Sequence, residues 1–324
     1  MKIFVYGWYG SGNLGDEAFK ISFTNLFPTV NFEFGPEIPS DINTAYDALF
    51  VGGGSFLDQK IDNIEKVEIP IGFIGVGIGK VIAPENAKAL ERAKIVVVRD
   101  SDSLNLNWET KNPFYLGSDL VFARNNLQPL IFPKKKRKTV LVLLNDFATP
   151  YGRNVPEWQS LAHSWFIQEF SKILDRLVEQ GWFINLQPMC INARIDDRRM
   201  AGKIIGHSEH PRQYNWGLSP ITEDFLRQEI SQSEFVISQR FHGIIFSLME
   251  RIPVIPICIH DKFKGLTKDL SLPKLDYYGL TDIEFSEIFN NLEPSPLFDT
   301  YLEQTNGFWQ GMFKEEIIRI FNLC

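Results

Sequence analysis

The sequence predicts an α/β protein with two parallel sheets, each covered by helices on both faces. Short apolar runs alternate with longer segments of helical apolar spacing, which is the pattern of parallel strands joined by crossover helices. The pattern restarts after a proline- and lysine-rich stretch, and a chain of 324 residues suits two domains. We therefore expect one domain over residues 1–133, a second over residues 139–300, and a C-terminal helix over residues 301–324 that folds back across them.

The composition argues against several classes of protein. A formal net charge of −7 is unfavourable for a nucleic-acid-binding protein. The cysteines Cys190, Cys258 and Cys324 match neither a disulfide framework nor a zinc site, so we expect a reducing compartment and no metal. The chain shows no secretory leader and no apolar run long enough to span a bilayer, so we expect a cytoplasmic protein with at most peripheral contact with the inner face of the membrane.

Four strands are predicted in the first half of the chain, each as a short apolar run. They cover residues 3–6, 48–51, 72–76 and 95–98, and a further candidate lies at 115–122. In the second half, apolar runs predict strands at residues 139–144, 182–186, 235–238 and 254–257.

Helices are predicted from apolar spacing and from start and stop signals. One covers residues 166–180 and ends at Gly181, and another begins after the N-cap Thr222 and runs through Ser231. The amphipathic tail at residues 308–321 predicts the C-terminal helix. The basic run at residues 134–138 is expected to be a solvated linker between the domains.

Three of the predicted strands end in glycine-rich loops, at residues 7–17, 52–55 and 75–80. Glycine after the carboxyl end of a strand lets a ligand or another loop approach closely, and parallel strands bring these ends to one edge. Tight packing of strand against helix is the alternative, and it is slightly favoured at Gly77 and Gly79. The candidate binding residues in these loops are Gly10, Gly12, Asn13, Gly53, Gly54 and Gly77.

Asp16 and Glu17 end the first loop, within the first turn of a predicted helix that continues over residues 18–27. The glycine spacing differs from a dinucleotide fingerprint, no P-loop lysine follows, and two carboxylates would repel a pyrophosphate. The carboxylates suit recognition of sugar hydroxyls or removal of a hydroxyl proton, so both are candidate catalytic residues. Complementing the helix dipole is the structural alternative.

Arg240 and His242 lie where the predicted strand at residues 235–238 gives way to a helix over residues 244–249. Arginine presents a planar fork to phosphate or carboxylate, and histidine exchanges protons near neutral pH. The pair therefore suits acid/base chemistry on an anionic substrate. The alternative is that Arg240 pairs with a neighbouring carboxylate and that His242 is a hydrogen-bonded core residue.

Two further segments contain candidate residues of less specific character. His260 and Lys262 follow the last predicted strand at the same edge as His242, so they are candidate substrate contacts or parts of a plain loop. His207 and His210 lie close to an acidic and arginine-rich stretch, where we expect a solvated helix and loop rather than a metal site.

Seven segments, in their order and spacing, resemble the polysaccharide pyruvyl transferases. They are residues 6–17, 52–54, 75–79, 98–103, 118–119, 238–243 and 253–265, so the resemblance extends from residue 1 to about residue 270. It implies a GT-B-like arrangement of two Rossmann-like domains facing across a cleft, with the acceptor on the first domain and the donor on the second. It also implies transfer of pyruvate from phosphoenolpyruvate to a sugar, with release of phosphate and formation of a ketal that bridges two hydroxyls.

The resemblance assigns roles to three residues of this chain. His242 falls on the acid/base histidine of the family, Arg240 on an arginine that holds the donor, and Arg99 on a second donor-binding cation. Val76 and Ile78 depart from the family, whose members often have glutamine or histidine in that loop. The implied partners are phosphoenolpyruvate and a sugar or glycan acceptor, free or lipid-linked, and no cofactor is implied.

Two other functions are compatible with the same architecture. One is a glycosyltransferase that uses a nucleotide-sugar, and the other is a glycan-binding protein without catalytic activity.

Overall fold

The computed structural model of the protein describes residues 1–55, 57–78, 81–104, 114–124, 128–145, 157–259 and 261–322. Within these ranges the first sheet is parallel, and its strands are β1 (Lys2–Tyr6), β2 (Asn31–Gly35), β3 (Ala48–Gly52), β4 (Ile71–Val76), β5 (Ile95–Val98) and β6 (Phe114–Leu116). Their order in the sheet is β2-β1-β3-β4-β5-β6. The associated helices are α1 (Leu14–Leu26), α2 (Ile42–Ala45), α3 (Pro84–Arg92) and α4 (Ser101–Leu104).

The second sheet is also parallel, with the order β12-β11-β10-β7-β8-β9. Its strands are β7 (Thr139–Leu143), β8 (Phe183–Leu186), β9 (Tyr214–Trp216), β10 (Phe235–Ser238), β11 (Val254–Cys258) and β12 (Leu275–Asp276). The helices that follow these strands are α5 (Glu157–Glu179), α6 (Asp197–His207), α7 (Glu223–Ser231), α8 (Phe241–Met249), α9 (Lys264–Asp269) and α10 (Asp282–Asn290).

The predicted α/β class and the two parallel sheets are confirmed. The central strands β3, β5, β7 and β10 are buried along their whole length, because helices cover both faces of a parallel sheet. The strands that apolar runs did not predict are β2, β9 and β12. Since β2, β9 and β12 lie at sheet edges or are very short, they lack a continuous apolar run.

The candidate strand at residues 115–122 is correct only where it overlaps β6. After Gly117 the chain turns, and Leu120–Ala123 forms a 3-10 helix because the Asp119 carboxylate accepts a hydrogen bond from the Val121 N–H. The expected linker at residues 134–138 is mostly exposed, yet Lys135 forms a 2.5 Å ion pair with Glu229. The basic run is therefore attached to the second sheet's helix layer rather than fully solvated.

Each sheet has one switch point, where successive crossovers leave in opposite directions. In the first sheet this point lies between β1 and β3, and in the second between β7 and β10. Ligands of open α/β sheets bind beyond the carboxyl ends of the strands at such points. Residues 7–17 and 52–55 follow one switch point, and Arg240 follows the other.

The C-terminal tail packs against the first sheet. It contains α11 (Phe298–Gly307), a π-helical segment (Phe308–Phe313) and α12 (Lys314–Phe321). Trp309 and Phe321 are buried, and the Phe321 ring lies 5.0 Å from that of Phe50, whereas Met312 is exposed. No helix in the part of the chain that the structure describes has the length and apolar character needed to cross a membrane.

Candidate active site

The glycine-rich loop at residues 7–17 contacts the second domain. The Leu14 N–H donates a 2.9 Å hydrogen bond to the Met189 carbonyl oxygen, and Asn13 forms an antiparallel bridge with Cys190. Gly12 has a φ of +72°, and a Cβ at this position would lie 3.0 Å from the backbone oxygen of Ile191. The loop at residues 7–17 therefore closely approaches another loop of the protein. The sequence had left open whether its glycines admit a ligand or another loop.

The two acidic residues of this loop have different surroundings. Asn13 caps α1 and donates a 2.5 Å hydrogen bond to the Asp16 carboxylate, which is almost buried. Burial raises the pKa of Asp16 to about 7, although Lys262 and Arg240 act in the opposite direction. An acid with this pKa can exchange protons near neutral pH.

Glu17 instead stabilises its own loop. Its carboxylate accepts a 2.6 Å hydrogen bond from the Gly10 N–H and forms a 2.5 Å ion pair with Lys20. Both side chains of this ion pair are partly exposed to solvent, Lys20 at 35% and Glu17 at 33%. Of the two acidic candidates, Asp16 is the one close to the cations of the second domain.

The glycines of the other two loops provide space for neighbouring side chains. A Cβ at Gly53 would lie 2.3 Å from the Phe19 ring, and one at Gly77 would lie 2.7 Å from Nε of Arg99. The Gly77 N–H donates a 2.8 Å hydrogen bond to the Gly54 oxygen. These contacts correspond to the tight-packing alternative, and at Gly77 the packing brings Arg99 into the site.

Arg99 follows β5 and is 3% exposed. Its Nη2 donates a 2.5 Å hydrogen bond to Oγ of Ser55, and its guanidinium carbon lies 4.2 Å from the centre of the Phe241 ring. Nε of Arg99 has no hydrogen-bond partner among the described residues. A buried guanidinium with an unused donor can bind an anion.

Arg240 occupies the position before the first residue of α8 and is 8% exposed. Its Nε donates a 3.0 Å hydrogen bond to the Asp197 carboxylate, and Nη2 bonds to the other oxygen. Asp197 is buried and also accepts hydrogen bonds from the N–H groups of Met189 and Cys190. Arg240 therefore pairs with a carboxylate, as the alternative interpretation of the sequence expected. The pair lies beside Met189 and Cys190, which contact the glycine-rich loop of the first domain.

His242 lies in the first turn of α8 and is 8% exposed. Its ring packs edge-on against Phe19 and Phe241, with centroids at 5.1 Å and 5.7 Å. A Cβ at Gly15 would lie 2.1 Å from Nδ1, and Nε2 lies 3.6 Å from Oδ2 of Asp119. The imidazole is therefore enclosed at the domain interface by apolar rings and by charged groups.

The charges around His242 are mostly positive. Burial holds the pKa of His242 well below its usual range, and Arg99, Lys262, Arg124 and Arg240 lower it further. The imidazole is consequently neutral at neutral pH. An anion bound among these cations would raise its pKa, since the cations would then be offset.

Lys262 belongs to the same group of charges. Burial and the nearby arginines Arg99 and Arg240 lower its pKa to about 8, and Asp16 opposes this shift. The structure therefore brings Asp16, Arg99, Arg240, His242 and Lys262 together. His260 lies outside the described residues.

Sequence reasoning did not identify Asp119 and Asp197 as site residues. Asp197 belongs to the acidic stretch expected to be solvated, and it was missed because its hydrophilic neighbours conceal that it is buried against Arg240. Asp119 follows the short edge strand β6, and burial raises its pKa to about 6 although Arg99 opposes the shift. Its position after a strand's carboxyl end is the signal that could have indicated it.

Solved structures with a similar fold include three from bacterial species. Staphylococcus aureus MnaA, in a co-structure with UDP, gives a TM-score of 0.61 at 11% identity, with 100% of this chain and 97% of that chain covered. UDP-GlcNAc 2-epimerase from Neisseria meningitidis, bound to UDP-GlcNAc, gives 0.59 at 10% identity, with 98% and 99% covered. Acinetobacter baumannii MurG gives 0.53 at 9% identity, with 100% and 99% covered.

At such low identities these matches establish the fold, which is GT-B-like. The search of curated proteins finds no match. The family model of the polysaccharide pyruvyl transferases matches residues 10–260. This range contains Asp16, Arg99, Arg240 and His242 and most of both sheets, and the chain therefore belongs to the polysaccharide pyruvyl transferase family.

Proposed function

We propose that this protein transfers a pyruvyl group from phosphoenolpyruvate to two hydroxyls of one sugar, forming a ketal and releasing phosphate. The observation that carries the proposal is the convergence of Arg99, Arg240 and Lys262 around His242 at the domain interface. Phosphoenolpyruvate carries a carboxylate and a phosphate, so it needs at least two cationic contacts.

The reaction begins with proton transfer to the donor. His242 donates a proton to the methylene carbon, and a C–H bond forms while the adjacent carbon becomes electrophilic. Although this imidazole is neutral in the free chain, the negative charge of the bound donor offsets Arg99, Lys262 and Arg240 and raises its pKa. Donor binding and protonation of His242 are thus coupled.

Two sugar hydroxyls then attack the same carbon in turn. The first forms one C–O bond, the C–O bond to phosphate breaks, and the second hydroxyl completes the ketal. The two hydroxyl protons balance the proton gained by the methyl group and the proton carried away by phosphate. Asp16, whose pKa is about 7, accepts a hydroxyl proton in this scheme.

The test measures phosphate release from phosphoenolpyruvate with a panel of free and lipid-linked glycosides. We expect release only with a suitable acceptor, and we expect His242→Ala to lower the rate by roughly 100- to 10,000-fold. His207→Ala is the matched control, because His207 is exposed and bonds to the backbone of its own helix. Equal activity in both variants would show that His242 is not the acid.

One structural observation favours a second candidate, a glycosyltransferase that uses a nucleotide-sugar. Two of the structures with the same fold are described as bound to UDP or UDP-GlcNAc. A thermal-shift comparison separates the candidates, because a ligand that binds only the folded state raises the melting temperature. Stabilisation by UDP-sugars and none by phosphoenolpyruvate would favour the glycosyltransferase.

A further inference from the structure

Asp119 and His242 face each other across the domain interface with two unused polar atoms. Oδ2 of Asp119 and Nε2 of His242 are 3.6 Å apart. Both atoms are buried, and neither has a hydrogen-bond partner among the residues that the structure describes. Unpaired buried polar atoms are costly, so two that face each other require a functional or structural explanation.

The first domain holds the Asp119 carboxylate in place. Its Oδ1 accepts a 3.0 Å hydrogen bond from the Val121 N–H, which starts the 3-10 helix Leu120–Ala123. The preceding residue, Ser118, accepts a 2.8 Å hydrogen bond from Nε1 of Trp309 in the C-terminal tail. One carboxylate oxygen is thus engaged locally, while the other lies next to the imidazole.

The other groups around His242 make this carboxylate chemically significant. From the first domain come Arg99, Arg124 and the Phe19 ring, and from the second come Arg240, Lys262 and the Phe241 ring. The charges acting on the imidazole from these residues are all positive, and the rings are apolar. Asp119 is therefore the acidic group placed directly against His242.

We propose that Asp119 is a positioning residue, which accepts the Nε2–H of His242 and so leaves Nδ1 as the nitrogen that exchanges protons with the substrate. Nδ1 packs against Gly15, the residue before Asp16, so it is the ring nitrogen on the side of the acidic turn. A carboxylate that accepts Nε2–H selects this tautomer and stabilises the imidazolium form. The tautomer part of the inference concerns the free protein, and the catalytic part rests on the proposed function.

The proton balance of the catalytic step is simple. The bond from Nδ1 to its proton breaks as the donor's methylene carbon gains that proton, and the imidazolium becomes neutral imidazole. The Nε2–H stays in place, and Asp119 remains a carboxylate throughout.

The test is a measurement of the His242 tautomer by nitrogen NMR in the full-length protein. The chain has five histidines, so the signals of His242 are identified as those absent from His242→Gln. We expect the Nε2–H tautomer in the wild type. In Asp119→Asn the amide oxygen can keep the bond to Val121, so its NH2 group faces Nε2 and the tautomer should change to Nδ1–H.

Asp100→Asn is the matched control. Asp100 is also buried and lies 3.6 Å from Arg99, but its Oδ1 accepts from the Ser103 N–H rather than facing His242. This variant should keep the wild-type tautomer. An Nδ1–H tautomer in the wild type would overturn the inference, and so would an unchanged tautomer in Asp119→Asn. If Asp119→Asn does not fold, the tautomer measured in the wild type still tests the inference.

Kinetics test the catalytic part separately. We expect Asp119→Asn to lower kcat by at least roughly 100-fold with little change in KM for phosphoenolpyruvate. The alkaline limb of the remaining pH profile should shift to lower pH, since loss of a negative neighbour lowers the pKa of the imidazole that donates the proton. If the tautomers behave as expected but no acceptor supports phosphate release, the proposed function fails while the Asp119–His242 pairing stands.

Discussion

Gly15 of the first domain and His242 of the second pack so closely that a Cβ on Gly15 would lie 2.1 Å from Nδ1 of the imidazole. This contact joins the start of α1 to the first turn of α8. The imidazole is therefore held by both domains, and its position depends on the way they meet.

Gly15→Ala should disrupt this contact. The added methyl group must displace the imidazole or separate the domains, which we expect to cost about 1 to 3 kcal/mol of stability and about 100-fold in activity. Denaturant unfolding and phosphate release measure the two effects.

Gly206→Ala is the control, because Gly206 is also helical but has no neighbour within 4 Å of an added Cβ. This substitution should be neutral or should stabilise the protein by up to about 1 kcal/mol. Equal behaviour of the two variants would contradict the contact.

Asp16→Asn should make stability less dependent on pH. The pKa of Asp16 is raised to about 7 in the folded protein, so the folded state binds the proton more tightly than the unfolded chain does. The wild type therefore loses stability as pH rises from about 4 to about 7, and asparagine removes this loss. We expect a higher melting temperature than the wild type at about pH 8 and a similar one at about pH 4.

The same substitution should abolish most phosphate release, since an amide cannot accept the hydroxyl proton. Glu17→Gln provides the comparison, because the Glu17 carboxylate accepts from the Gly10 N–H and pairs with Lys20, and its side chain is 33% exposed. A gain of stability at alkaline pH in Glu17→Gln, or none in Asp16→Asn, would contradict the assignment of the buried acid.

Asp197→Asn should destabilise the protein strongly. It leaves the buried Arg240 guanidinium without its carboxylate partner, and breaking a buried pair in this way costs about 3 to 5 kcal/mol. Asp196→Asn is the neighbouring control: its pair with the partly exposed Arg198 contributes less than about 1 kcal/mol, and asparagine is an equally good N-cap. Urea unfolding curves should therefore separate the two variants, and coincident curves would show that the buried pair is unimportant.

Trp309→Phe tests whether the tail supports the segment that carries Asp119. The substitution keeps an aromatic ring but removes the Nε1 donor to Ser118, so we expect a loss of about 1 to 3 kcal/mol and reduced activity. Trp165→Phe is the control, since Trp165 is exposed and its replacement should change the free energy of unfolding little. Normal activity in Trp309→Phe would show that the tail does not influence the site.

The sequence alone determined the α/β class, the central strands and the ends of those strands where the site lies. These features follow from local hydropathy, glycine content and helix caps, which operate over a few residues. It also indicated Asp16, Arg240, His242 and Lys262 as candidates, because charged residues near the ends of buried strands point to a ligand crevice. Arg99 was indicated by the resemblance to the family.

Only the tertiary structure decided which groups these candidates meet. The Arg240–Asp197 pair and the Asp119–His242 contact join segments that are remote in sequence, and no local pattern specifies such partners. Likewise, the first glycine loop touches the second domain, and Glu17 remains with Lys20 while Asp16 is buried near cations. Burial and neighbouring charge set the protonation of His242 and Asp16, and both arise only when the two sheets come together.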